Sequence, residues 1–535
     1  MFALQSLLIL LAAHFSPLYA KGPTVNLGYS TYEGISLPNG QNQFLGIRYA
    51  APPLRNLRFR RPQPSVQTEG IQSAKESGPI CFGVKGPFNP ELPRQQSEDC
   101  LYLNIWAPSN VTKNTKLPVF FWIHGGGYTF DLDPNYNGSA LVQATGNNMI
   151  YVNVNYRLGP YGFLASERVR KDGDLNVGLL DQRFALQWVQ QHIGLFGGDP
   201  KRAVLVGDSA GAGSVALHMV AYGGRDDGLF VGGFGLSPYF PTQLRVSELE
   251  RQFDLFVKRT GCNHVQDALK CLRSKSSNEL QTVNVGMPYP GRVNNTVSPF
   301  SPAIDGDFLP DLPLKLFDEG RFVKVPAVFG DDTNEGTIVT VNAASQAEVN
   351  SFLQDQYPQL SDADLKGIEN LYPPVVPSPF NNHTPFFASA EAALGESTFI
   401  CPGIRLSSAI SKYTKAWNYR YNVLTSFEIS SGIGVAHTSE IPLLFGPGHA
   451  GNGTGGFNNT DLPIVPVLQA YYTSFVRFLD PNTHRAAGSA LWPEFFASNK
   501  QRLLLKVEST KVEKIPKEQE DRCAFWKTLS EKIEQ

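Results

Sequence analysis

The feature that most narrows the choice of fold is a nine-residue stretch, AVLVGDSAG, at positions 203–211. Its first four residues are apolar and carry no charge, which suits a strand buried on both faces. Gly207-Asp208-Ser209-Ala210-Gly211 follows, a G-x-S-x-G pattern, and residues 210–220 then read as a helix rich in small side chains. A strand that runs into G-x-S-x-G and out into a helix is the setting of a nucleophile elbow. So tight a turn needs small residues around the serine, and Gly207, Ala210 and Gly211 meet that need. The Ser209 hydroxyl is then expected above a sheet, at a helix N-terminus where developing negative charge is favoured.

Other apolar runs match the first. Residues 119–123, 149–154, 203–206, 231–236 and 327–329 read as buried strands, and none contains a charge. Between them, residues 178–195 place Leu180, Phe184, Trp188 and Leu195 near one face at helical spacing. Strand and helix alternate, and the handedness of such crossovers points to an α/β fold with a mostly parallel central sheet and helices on both faces. No internal repeat is visible. The Pro-rich stretch YPPVVPSP at 372–379 is the best linker candidate and reads as a loop. Residues 21–535 are therefore expected to form a single catalytic domain with large insertions.

Composition removes some function classes. Of 535 residues, 46 are Lys or Arg and 48 are Asp or Glu, a net charge of −2 without a basic run. That balance disfavours a nucleic-acid partner. The apolar stretch at 7–13 is too short to span a bilayer but suits a signal peptide over residues 1–20, and no later run reaches membrane length. A secreted protein is expected. Six cysteines, Cys81, Cys100, Cys262, Cys271, Cys401 and Cys523, fit an oxidising compartment. Six allow 15 pairings; the local pairs Cys81–Cys100 and Cys262–Cys271 are the simplest, which leaves Cys401 with Cys523. None has zinc or redox spacing, so no metal is expected. Sequons at Asn110, Asn137, Asn294, Asn382, Asn452 and Asn458 suggest glycosylation.

The run at 119–123 ends in His124-Gly125-Gly126-Gly127-Tyr128, an HGGG-type loop. Glycines let backbone N–H groups approach a substrate oxygen, and Gly126, Gly127 and Ala210 are the expected oxyanion donors. His124 reads as a structural residue of that turn. No Gly-Lys-Ser/Thr follows, so a phosphate loop is disfavoured. An acid and a histidine should come later in the chain. The stretch GDDTNEG at 330–336 offers Asp331, Asp332 and Glu335, and spacing does not choose among them. Downstream lie His383, His437, His449 and His484. His383 sits inside a sequon, and His449 and His484 in polar or glycine-rich loops. His437 follows the small-residue loop SSGIGVA at 430–436, although a lone loop histidine is often structural.

Five further stretches carry a family resemblance: FLGIRYAAPP at 44–53, EDCLYLN at 98–104, NYRLG at 155–159, NVGLLDQ at 176–182 and CAFW at 523–526. With the elbow, the chain resembles the type-B carboxylesterase/lipase family, the cholinesterase-like branch of the α/β hydrolases, over about residues 25–530. The resemblance implies Ser209 as nucleophile, Glu335 as acid and His437 as base. It implies disulfides Cys81–Cys100 and Cys262–Cys271, with Cys401–Cys523 beside them, and structural ion pairs Arg58–Glu98 and Arg157–Asp181. Three departures stand out. Arg48 replaces the family's usual proline, and Asp208 stands where cholinesterases have Glu. The loop at 82–99 is short and holds no Trp, so a choline site lacks the aromatic face its cation needs, and a long lipase lid lacks room.

The expected activity is that of a secreted serine esterase working through an acyl-enzyme on small to medium carboxylic esters. No diffusible cofactor is expected. Rival readings are a lipase or sterol esterase, an acyltransferase or esterase of secondary metabolism with the same triad, and a non-catalytic binding module. The oligomeric state is not legible.

Overall fold

The computed structural model describes residues 22–86, 94–130, 134–450 and 457–535. The leader stretch 1–20, the sequon at Asn452 and residues 87–93 of the short disulfide loop lie outside the described residues.

Eleven strands form the central sheet. In chain order they are β1 (Ile35–Leu37), β2 (Gln41–Arg48), β3 (Tyr102–Pro108), β4 (Leu117–Ile123), β5 (Ile150–Val154), β6 (Gly198–Asp208), β7 (Gly232–Leu236), β8 (Ala327–Asp332), β9 (Ala416–Tyr421), β10 (Gln501–Leu505) and β11 (Lys511–Lys514). Across the sheet the order is β11-β10-β9-β8-β7-β6-β4-β5-β3-β2-β1. The run from β10 to β5 is parallel throughout, and antiparallel strands flank it on both sides.

Side chains alternate across this sheet into two separate apolar layers. Val119, Phe121 and Ile123 of β4 enter one, and Phe120 and Trp122 enter the other. Ala203 and Leu205 of β6 part from Val204 and Val206 in the same way. Helices Val177–His192 and Ala210–Gly224 cover the first face, and helices Ser139–Ala144 and Val465–Phe478 the second. Burial on both faces explains why the strand centres carry no charge. A third apolar cluster joins helices Gln346–Gln356, Asp362–Leu371 and Pro385–Gly395 to Trp526 near the end of the chain. Apart from Trp526, Leu529 and Ile533, its core is built from sequence inserted between β8 and β9.

The structure departs from the sequence reading in three places. The run expected at 203–206 lies inside the longer β6, whose first part carries Asp199, Lys201 and Arg202 and is less buried than the rest. β8 extends through Asp331 and Asp332, which are fully buried and not solvated. The helix expected at 178–195 ends at His192, and a 3-10 turn, Ile193–Phe196, follows. The tighter turn changes the angular phase, so Leu195 leaves the apolar face and is 51% exposed.

Register sets up the site. Gly207 pairs with Ile123, Asp208 with Leu236, Leu236 with Gly330 and Asp332 with Tyr421. The carboxyl ends of β4, β6, β7, β8 and β9 are therefore level, and the loops leaving them share one edge. Ligand sites of open α/β sheets form at this edge.

Candidate active site

Ser209 caps the helix that leaves β6, with φ 53° and ψ −121°. A non-glycine residue avoids this region unless its surroundings enforce it. Here the enforcement is visible. Ser209 N–H donates to Leu236 O at 2.8 Å, and Ser209 O accepts from Gly213 N–H at 2.9 Å and Tyr239 N–H at 3.1 Å. The elbow also presses against β4: a Cβ at Gly211 would lie 2.0 Å from Ile123 O.

Ser209 Oγ lies 2.8 Å from His437 Nε2, and His437 Nδ1 lies 2.5 Å from Glu335 Oε2. Glu335 accepts only, so Nδ1 carries the proton and Nε2 accepts from the serine hydroxyl. Asp332 N–H donates to the other Glu335 oxygen at 2.7 Å, which fixes the carboxylate plane. Ser209 and His437 are 7% and 8% exposed, and Glu335 is fully buried.

The acid and histidine loops are joined to each other. Asn334 N–H donates to Val435 O at 2.9 Å, and Val435 N–H donates to Asn334 Oδ1 at 3.1 Å. This one-residue bridge places Glu335 and His437 opposite one another. The rival candidates have other partners. Asp331 faces Arg502 at 3.5 Å, and Asp332 accepts from Ser439 N–H. His383 stacks on Phe387, His449 Nδ1 donates to Pro447 O, and His484 packs on Phe478.

Gly126 and Gly127 adopt φ 95° and 60°, a region open to glycine. Their peptide planes are pinned. His124 Nδ1–H donates to Gly125 O at 2.9 Å and so orients the peptide that carries Gly126 N–H. Thr129 and Phe130 N–H both donate to Gly126 O, which orients the peptide carrying Gly127 N–H. Among the described residues the N–H groups of Gly126, Gly127 and Ala210 have no protein acceptor, so all three are available to a ligand oxygen. His124 had read as a structural residue of the turn; the structure makes it the support of one of these N–H groups, stacked on Tyr156 at 4.3 Å.

Buried carboxyls surround the triad. Burial pushes Asp208 up to about 7. Burial raises both Asp332 and Glu440, and the neighbouring Glu335 carboxylate adds to the shift of each. Tyr419 OH donates to Glu440 at 2.9 Å. Burial thus disfavours further negative charge beside Glu335. Sequence reasoning did not single out Glu440, Asn334, Tyr239, Ser298 or Phe399. Each lies in an ordinary-looking loop or helix, and no motif marks it.

The cysteines pair as Cys81–Cys100, Cys262–Cys271 and Cys401–Cys523, with S–S distances of 2.06, 2.03 and 1.97 Å. Arg58–Glu98 and Arg157–Asp181 are buried bidentate ion pairs. Arg48 grips Asp99 with two N–H groups, beside Cys100, so the residue that departs from the family pattern anchors the base of the disulfide loop. Asn110, Asn294, Asn382 and Asn458 are exposed, whereas Asn137 is half-buried and its Oδ1 accepts Ser139 N–H. Among the described residues no helix is long and apolar enough to cross a membrane, and no His/Cys/Asp/Glu group could hold a metal.

The chain is similar to known esterases and lipases over nearly its whole length. It is 44% identical to EstA of Aspergillus niger, whose crystal structure matches 96% of this chain and 99% of that one with a TM-score of 0.92. It is 32% identical to Secreted lipase 1 of Botryotinia fuckeliana over 86% of this chain and 85% of the relative. Lipase 2 of Geotrichum candidum is 29% identical over 93% and 94%. The sequence pattern of the carboxylesterase family matches residues 21–526. That span runs from ahead of β1 to the segment bearing Cys523, and so takes in every strand of the sheet: the chain belongs to the carboxylesterase family, the α/β hydrolases with a Ser-His-Glu triad, and it is a carboxylic ester hydrolase.

Proposed function

We propose that the protein is a secreted, glycosylated serine carboxylesterase, one catalytic domain over residues 21–535 behind a leader at 1–20, that cleaves small to medium esters through an acyl-enzyme. The observation that carries this is the unbroken chain from Ser209 Oγ through both nitrogens of His437 to Glu335. His437 takes the Ser209 proton as Oγ attacks the ester carbonyl. Gly126, Gly127 and Ala210 N–H groups receive the oxyanion. His437 then protonates the leaving alcohol, and a water activated by the same nitrogen attacks the acyl carbonyl, returning the proton to Ser209 and releasing the acid. Glu335 holds the imidazole tautomer and stabilises its charged form.

Two cavities lie beyond the ring that packs on His437. Phe399, whose ring lies 4.3 Å from His437, and Tyr239 wall a space of about 20 Å³, room for one water. A wider cavity of about 480 Å³ shares Thr296, Val297 and Val339 with it and has Phe130 in its wall. Disulfides and the name of the Botryotinia relative, Secreted lipase 1, support secretion.

The decisive experiment is fluorophosphonate labelling of wild type and Ser209→Ala, followed by nitrophenyl esters of rising chain length. Labelling lost in the variant and rates that fall with acyl length support the proposal. Labelling that survives in Ser209→Ala overturns it. The lipase reading, favoured by the relatives' names, predicts a rate jump as substrate passes its solubility limit.

A further inference from the structure

The elbow and the oxyanion loop leave different strands, and one residue outside both ties them together. Tyr239 follows β7. Its backbone N–H donates to Ser209 O at 3.1 Å. Its phenol donates to Ser298 Oγ at 2.8 Å, and Ser298 Oγ–H donates to Gly127 O at 2.8 Å. Both side chains are buried, at 5% and 3% exposure. Ser298 is itself held, its N–H donating to Thr296 Oγ1 at 3.1 Å. Two residues on, Phe300 O accepts from Thr129 Oγ1, so the 298–300 segment grips the oxyanion loop twice.

Gly127 N–H lies in the peptide plane of Gly126 O, and its position depends as well on where the Gly127 Cα is held from the other side. The preceding plane is set by the two N–H groups on Gly126 O. The following plane carries Gly127 O, and among the described residues Ser298 is its only donor. A glycine in the left-handed region has a soft backbone, so one missing hydroxyl frees that plane and lets the Gly127 Cα, with its N–H, drift from its place. The Tyr239 ring also packs 5.2 Å from Phe399, which packs on His437. Tyr239 therefore meets the nucleophile through its backbone, the oxyanion loop through its hydroxyl and the base through its ring.

We propose that Ser298 and Tyr239 are positioning residues: a two-hydroxyl relay that anchors the Gly127 Cα, holds its N–H in place for the oxyanion and keeps the hole in register with Ser209. The proposal rests on Ser209 as nucleophile and Gly127 as donor. Ser298 and Tyr239 act through Gly127 and do not touch the reacting atoms. Their effect is felt where charge has developed on the substrate oxygen, so it belongs to the transition state and not to ground-state binding.

The test compares wild type, Ser298→Ala, Tyr239→Phe and the double variant on a nitrophenyl ester, and measures inhibition by a trifluoromethyl ketone, whose adduct with serine carries an oxyanion. Ser298→Ala is expected to lower kcat about tenfold with KM within twofold, less than the loss of a whole donor. Ketone affinity should fall by the same factor. Tyr239→Phe keeps the ring and should shift both quantities in the same direction by a smaller factor. The double variant should match Ser298→Ala, because one relay is broken once. A Ser298→Ala enzyme with wild-type kcat, a rise in KM alone, or ketone affinity that does not follow kcat overturns the relay. If Ser298→Ala does not fold, Tyr239→Phe decides by the same criteria. Fluorophosphonate labelling of wild type is the separate control: a wild type that stays unlabelled removes the nucleophile assignment, whereas a labelled wild type with unaffected variants removes only the relay.

Discussion

Gly211→Ala adds one methyl group where the elbow meets the strand that carries the oxyanion loop. The new Cβ would lie 2.0 Å from Ile123 O, 2.8 Å from Ile123 C and 2.9 Å from His124 O. The closest contact is roughly 1.5 Å short of van der Waals distance. All three atoms are backbone, so no rotamer change relieves the clash. Either the end of β4 moves outward with Gly126 and Gly127, or the helix starting at Ala210 backs away with Ser209. Both paths separate the nucleophile from the oxyanion donors by about 1 Å, a displacement that costs about 100-fold in rate. The overpacking itself costs about 1–3 kcal/mol of stability. Steady-state kinetics on a nitrophenyl ester, paired with a thermal melt, should give a folded enzyme with kcat down about 100-fold and a lower Tm. Gly194→Ala, where nothing lies within 4 Å of the added atom, is the control and should match wild type. A folded Gly211→Ala enzyme with kcat within about threefold of wild type would refute the claim that this contact sets the distance between the two loops.

Three further outcomes follow from the same geometry. Arg157→Ala leaves Asp181, fully buried, without its bidentate partner; chemical denaturation should show a loss of about 3–5 kcal/mol, and a loss below 1 kcal/mol would contradict the buried-charge argument. Glu391 is buried, and desolvation pushes it up to about 8. Because the folded state holds this proton after the unfolded chain has released it, Glu391 costs nothing below about pH 4.5 and costs progressively more up to about pH 8. Melts of Glu391→Gln should therefore gain on wild type as pH rises from 5 to 9, and a constant or shrinking gap speaks against it. The bridge Cys401–Cys523 closes a separation of 122 residues, against 9 for Cys262–Cys271. In the chain-entropy account the longer loop contributes about 4–5 kcal/mol, so replacing both of its cysteines with serine should lower the unfolding midpoint more than the same change at Cys262 and Cys271; equal effects would count against loop length as the cause.

The amino-acid order alone determined those parts of the protein whose information is local. Charge-free runs such as 119–123 and 327–329 marked strands because a parallel strand buried on two faces tolerates little else. Ser209 and the loop from His124 to Tyr128 stood out because a strained turn and an exposed N–H both demand glycines at fixed neighbouring positions. Strands with mixed composition, such as β2 and β9, carried no comparable signal, and Leu195 was misplaced because a change of helix type leaves no mark on hydrophobic spacing. Residue type and spacing left three carboxylates open; the family resemblance pointed to Glu335, and only the tertiary structure shows which of them meets His437. Asp331, Asp332 and Glu335 are equivalent as residue types, yet one faces Arg502, one faces Ser439 and Glu440, and only Glu335 meets His437. His437 comes 228 positions after Ser209, and the bridge through Asn334 aligns its loop with that of Glu335. Partners so distant are chosen by sheet register and loop packing, and those are properties of the assembled chain that no short window of residues encodes.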